Sequence, residues 1–197
     1  KSTVTSKNSN SKFSQFQKHL MTGISYMIPV LIMGGLLGAL SQLIPYMFMG
    51  IDPSMSIVDA INTGSYTVSS ENLLKFAYIL QTFGFTLFGF AIPIFAAFAA
   101  QSIGGKTALI CGFIGGVVAN NPIETLTMVD GAYEPVAPAP SGFFGGLLIA
   151  FLIGYFVRFL NNHIKVSHNW MAFKTTFLIP LISVLVTMIL MIYVITP

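Results

Sequence analysis

Few side chains in this chain can do chemistry, and their spacing limits it further. There are three histidines, one cysteine and six carboxylates in 197 residues. His163 and His168 stand five apart in a basic stretch with Asn161, Asn162 and Asn169, which reads as a polar rim at a membrane surface. No His, Cys, Asp or Glu cluster has metal-ligand spacing, no Gly-x-Ser-x-Gly elbow occurs, and no glycine loop leads into Lys-Ser or Lys-Thr. The expectation is therefore no metal, no cofactor and no catalytic residue. One polar cluster is left, Asn120-Asn121 before Pro122 with Glu124 beside them. Its amides could bond a polyol substrate or cap a helix, and Glu124 is a substrate contact or a solvated loop acid. Cys111 lies inside an apolar run and reads as a small buried side chain.

The elements that carry these groups are apolar. Hydrophobic residues make up 54% of the chain and charged residues 8%, against about 25% charged in a soluble domain. Mean hydropathy is +0.80. The net charge of +3 comes from scattered basic residues that form no patch interleaved with aromatics, so nucleic acid is excluded as a partner. Residues 142–160 hold no charge before Arg158, and Gly142, Gly146, Ala150 and Gly154 recur every fourth position. In water each glycine costs such a helix roughly 1 kcal/mol against alanine. In lipid the same stripe lets a second backbone come close. The chain reads as a membrane protein embedded in a lipid bilayer.

The expected fold class is all-α, a polytopic transmembrane helix bundle of about five spans. Residues 1–17 are a polar linker or an interfacial segment, with Phe13, Phe16 and Leu20 at surface-helix spacing, and residues 18–197 form the transmembrane domain. The spans are 21–44, 76–100, 107–121, 142–160 and 177–194. Pro29 should kink the first, and Pro45-Tyr46 marks its exit. Ile57 to Ile61 suits a brief amphipathic turn, and 124–140 reads as a loop. Further small-residue faces lie at Gly34/Gly38 and at Gly112/Gly116. The run 107–121 is short and admits a re-entrant reading as well as a crossing.

Charge decides between those two. Lys1, Lys7, Lys12 and Lys18 precede the first span, and Asp52, Asp59 and Glu71 follow it. Lys106 separates the second and third, while Glu124, Asp130 and Glu134 separate the third and fourth. Arg158, Lys165 and Lys174 follow the fourth. Basic loops stay cytoplasmic, so five crossings with a cytoplasmic N-terminus alternate without violation. A re-entrant third segment would leave Lys165 and Lys174 outside. None of the five runs holds an ionisable residue at depth, where an ion-coupled transporter needs a relay. Gly112-Phe113-Ile114-Gly115-Gly116 echoes Gly142-Phe143-Phe144-Gly145-Gly146, which reads as two glycine-rich packing faces.

The stretch Lys18-His19-Leu20-Met21-Thr22-Gly23-Ile24-Ser25-Tyr26-Met27-Ile28-Pro29 resembles the opening of the membrane component, component C of enzyme II, of fructose-family sugar phosphotransferase systems. Residues 88–103, 112–116, 141–155 and 177–197 fit the same family. The resemblance implies a permease of the bacterial inner membrane that phosphorylates a fructose-type sugar as it imports it. It implies phosphorylated component B as a cytoplasmic partner, and the polar start resembles the linker that often joins component B to the membrane part. Family members carry a second membrane half with a Gly-Ile-Thr-Glu type motif at the sugar site. No such motif occurs here, since Gly23-Ile24-Ser25 is followed by no acid, so no catalytic or sugar-binding residue is carried over. The resemblance further implies that the first five helices are a scaffold and homodimerisation half. Glycine faces would serve dimer contact or packing within the chain equally. The alternatives are half of an ion-coupled secondary transporter and a non-catalytic membrane assembly subunit.

Overall fold

Apolar runs without access to water must close their own backbone hydrogen bonds, and here they do so as helices. The computed structural model describes residues 3–64, 71–129, 131–164 and 170–195, without the side chains of 3–11 and 129. Lys1, Asp130, Lys165, His168, Asn169 and the side chain of Lys7 lie outside the described residues.

Helix α1, Thr3–Met49, runs without a break from the polar start through Pro29 and Pro45. The exit expected at Pro45-Tyr46 is overrun by a turn. Proline forfeits one donor without breaking a membrane helix, and the helix stops where Gly50 takes φ 66°. The Ile51 N–H then closes onto the Pro45 carbonyl at 3.4 Å. The expected amphipathic turn is α2, Ile57–Thr63, with Ile57 and Ala60 buried. The Ser56 hydroxyl accepts from the Asp59 N–H at 3.0 Å, the bond of an N-cap, and donates to the Asp59 carboxylate at 2.7 Å. Before it, Asp52 accepts from the Ser54 hydroxyl and N–H, which hold its carboxyl below the usual range.

Helix α3, Glu71–Gly104, and α4, Lys106–Asn120, are separated by Gly105 alone. Its φ of 80° turns the chain back in a single residue, a conformation glycine adopts without steric cost. Helix α5 is Gly142–His163. Helix α6, Met171–Ile195, widens into π turns over Lys174–Leu178 and Met191–Ile195. Among the described residues four helices, α1 from Lys12, α3, α5 and α6, are long and apolar enough to cross a membrane. At 15 residues α4 is shorter, about 22 Å against a hydrocarbon layer of about 30 Å.

The fold is the expected all-α bundle, and the loop expected over 124–140 contains one short two-stranded hairpin. Strands β1, Thr125–Val129, and β2, Ala132–Val136, pair antiparallel with Thr127 opposite Glu134. Alternating Thr, Leu, Thr, Met and Val favour an extended chain, and Gly131 at φ 86° supplies the turn.

Contacts divide the chain into two compact units, residues 28–91 and the remainder. In the second of these, Phe95, Ala96, Ala99 and Ala100 of α3 pack with Ala108 and Cys111 of α4, Ala150, Ile153 and Val157 of α5, and Ile179 of α6. The core is alanine-rich because backbones, not bulky side chains, make the approach. Cys111 is buried in it, as expected. The unit 28–91 has its own small core, Met49, Ile51, Ile57, Ala60, Leu74 and Ala77.

Candidate functional site

The larger unit has two chemically different ends, and helix contacts show which residues share each. A Cβ added at Gly116 of α4 would stand 2.6 Å from Pro93 Cα, and one at Gly112 2.5 Å from the Ala96 carbonyl oxygen, so α3 and α4 run antiparallel. Gly146 of α5 meets Ile92 at 2.7 Å on the same measure, and Gly104 meets the Gly154 carbonyl at 2.6 Å, so α3 and α5 are parallel. Lys174 donates to the Asn161 carbonyl at 3.1 Å, which fixes the start of α6 to the end of α5. Gly23 of α1 meets Phe95, and His19 meets Ser102. The five helical segments therefore alternate in direction.

At the basic end, Lys18 and Arg158 lie near a buried histidine, Lys106 opens α4, and Lys174 sits in the first turns of α6. His19 is 9% exposed and its Nδ1 lies 2.7 Å from Ser102 Oγ. The Ser102 hydroxyl donates to the Ala99 carbonyl at 2.7 Å, so the histidine Nδ1–H is the donor in the contact. Lys18 and Arg158 are its charged neighbours. Stacking of Phe16 on Phe151 and of Tyr26 on Phe98, with ring centroids 4.7 and 3.7 Å apart, holds α1 against α5 and α3. His163 is spent on its own helix, with Nδ1 3.0 Å from the Phe159 carbonyl and its ring stacked on Phe159.

The other end carries the polar cluster. Asn120 is half-buried in the last turn of α4, while Asn121 and Glu124 are exposed. The backbone N–H of Asn121 closes the helix onto the Val117 carbonyl at 2.7 Å. Glu124 leads into the hairpin and stands beside no described cation.

Of the small residues singled out by spacing, Gly112, Gly116, Gly146 and Gly154 face helix backbone or side chain of the same unit, and Ala150 is fully buried in its core. Gly34 meets the Gly84 carbonyl at 3.0 Å within the unit 28–91. A Cβ added at Gly38 or Gly142 would meet nothing within 4 Å, and Gly142, at φ 57°, opens α5 without entering the packed stripe. The His19–Ser102 pair was not singled out, because a lone histidine ahead of an apolar run gives no spacing signal. Ser183 and Thr187, one turn apart, are also buried in α6, where Thr187 donates to the Ser183 carbonyl at 2.7 Å. Their i, i+4 spacing was the available clue.

Among the described residues no three His, Cys, Asp or Glu side chains gather as a metal site. The geometry brings together packing surfaces and a basic end; among the described residues it does not bring together an acid, a base and a nucleophile.

Comparison with known proteins agrees with this architecture. The family model for the phosphotransferase system EIIC component matches residues 21–197. A fructose-like permease IIC component of Shigella flexneri is 45% identical over 190 residues, covering 95% of this chain and 46% of its own length. Fructose-like permease IIC component 1 of Escherichia coli (strain K12) is 46% identical over 187 residues, 94% of this chain and 45% of its own. A fructose-specific EIIABC component of Mycoplasma pneumoniae is 31% identical over 188 residues, 89% of this chain and 24% of its own. The chain thus spans about half the length of the first two relatives. No solved structure gives a significant match. A family model covering nearly all of a chain folded as alternating apolar helices leaves one assignment: the chain belongs to the EIIC family of phosphotransferase-system membrane components.

Proposed function

We propose that this chain is part of a multi-pass sugar permease of the bacterial inner membrane, one that phosphorylates a fructose-type sugar as it imports it. The observation that carries this reading is similarity along 95% of the chain to a protein named as a fructose-like permease IIC component. The basic end of the larger unit faces the cytoplasm and the hairpin end faces outward, because basic segments are retained inside. Phosphorylated component B docks on the cytoplasmic side. Relatives in which EIIB and EIIC are named as one component support that partner. Within the whole permease this segment is the scaffold and the dimer half. Gly35 and Gly38 leave open space in the direction a Cβ would take, with at most a distant Phe88 ring atom there, and those open sides suit contact with a second copy.

Right-side-out membrane vesicles containing the full-length permease test the reading. Labelled fructose should accumulate inside as the sugar phosphate when phosphorylated component B is enclosed, and not without it. Accumulation of free fructose driven by a proton or sodium gradient would instead establish the secondary-transporter reading.

A further inference from the structure

Within the unit 28–91, one face of α3 is hollowed out. A cavity of about 400 Å³ is lined by Val58, Ile61 and Asn62 of α2 and by Lys75, Tyr78 and Ile79 of α3. A second, of about 250 Å³, shares Tyr78 and Ile79 and continues along Thr82, Phe83 and Thr86. The shared residues make the two a single trough, open to the outside, with Ile79 61% and Phe83 58% exposed.

Its wall is hydrocarbon in practice. The hydroxyls of Thr82 and Thr86 are turned back onto the Tyr78 and Thr82 carbonyls at 2.9 and 2.8 Å, so these residues offer methyl groups. Apart from the Tyr78 hydroxyl, the polar groups lie at one end, where Asn62 and Lys75 sit and Glu71 pairs with Lys75 at 2.6 Å. From Lys75 to Thr86 the helix rises about 16 Å, roughly half of a hydrocarbon layer about 30 Å thick. An apolar trough of one leaflet's depth, topped by charged and amide groups, has the dimensions of an acyl chain below its headgroup. The charges then choose the headgroup. Glu71 and Lys75 present opposite charges one turn apart, and both remain more than half exposed. An anionic headgroup would meet Glu71 with repulsion, whereas a zwitterionic one answers both charges.

We propose that this trough is a phospholipid site that takes one acyl chain along α3 and selects a zwitterionic, ammonium-bearing headgroup, its phosphate toward Lys75 and its ammonium toward Glu71. Bound there, the lipid fills the hollow between α2 and α3 and fixes α2 at the membrane surface.

The full-length permease, purified and delipidated in mild detergent, is titrated with phosphatidylethanolamine and with phosphatidylglycerol of identical acyl chains. Native mass spectrometry reads the lipid retained, and a phosphatidylethanolamine with a photoreactive acyl chain maps its place. The expected result is preferential retention of phosphatidylethanolamine with cross-links on residues 78–86. Glu71→Gln should reduce that preference by about fivefold, the loss of one exposed charge contact. Lys75→Gln, which removes a phosphate contact that both lipids share, should weaken retention of both and leave the preference in place. Thr82→Trp, which fills the trough and leaves the charges alone, should abolish the cross-link. Equal retention of both lipids marks a non-selective annular surface and overturns the proposal. Cross-links to a second copy or to another segment of the permease in place of lipid overturn it as well.

Discussion

A leucine at Gly116 has no room, since its Cβ would already stand 2.6 Å from Pro93 Cα, whereas a Cβ at Gly38 would point into open space. Overpacking a close helix contact costs about 1–3 kcal/mol, so Gly116→Leu should lower the melting temperature of the purified permease markedly. Gly38→Leu should leave the thermal stability of dissociated monomers unchanged. Equal loss at both positions in monomers would show that backbone approach is not what holds α4 against α3. The His19–Ser102 bond sets a smaller scale. His19→Leu removes one net hydrogen bond in a buried setting, about 1 kcal/mol, and His19→Gln should recover part of it. Chemical unfolding of the two variants checks this, and indistinguishable midpoints would mean that packing alone places α1. Four-residue spacing revealed the small-residue stripe of α5 but not where it begins. Gly142 sits at a left-handed φ ahead of the packed positions, and only the backbone path shows that.

At the scale of elements, hydropathy marked each membrane helix, and the misjudged features are those that depend on local hydrogen bonding. Helix α1 passes Pro45 because one missing donor does not end a helix whose alternative is unsatisfied backbone in lipid. The hairpin reads as loop in the sequence because the runs Thr-Leu-Thr-Met-Val and Ala-Tyr-Glu-Pro-Val are short, and Pro135 in the second argues against a strand. Its Asp130-Gly131 dipeptide was the usable hairpin signal. The short α4 is the element on which topology turns, because it runs antiparallel to α3 and α5 and completes the alternation. In a Cys111→Ala background, single cysteines at Ser56 and Glu134 should react with an impermeant maleimide applied outside. Cysteines at Lys106 and Lys174 should react only after the membrane is opened. Outside labelling at position 174 would contradict the crossing of α4.

For the whole molecule, composition established the membrane, and the stretch from Lys18 to Pro29 pointed to the family that the comparisons then showed. The candidate sugar contacts were less legible. Asn120, Asn121 and Glu124 are neighbours in sequence, yet a pocket needs groups converging from several elements. The structure sets Asn121 and Glu124 on the outside of one chain segment. The proposal that scaffold and sugar site divide between this segment and the rest of the permease is the central claim. Titration with fructose and with mannitol, performed on the 197-residue chain beside the full-length permease, tests it most directly. The account predicts saturable binding of fructose by the permease and none of either sugar by the segment. Saturation of the segment at millimolar concentration or below, lost on Asn120→Ala or Asn121→Ala, would place the sugar site here and contradict it.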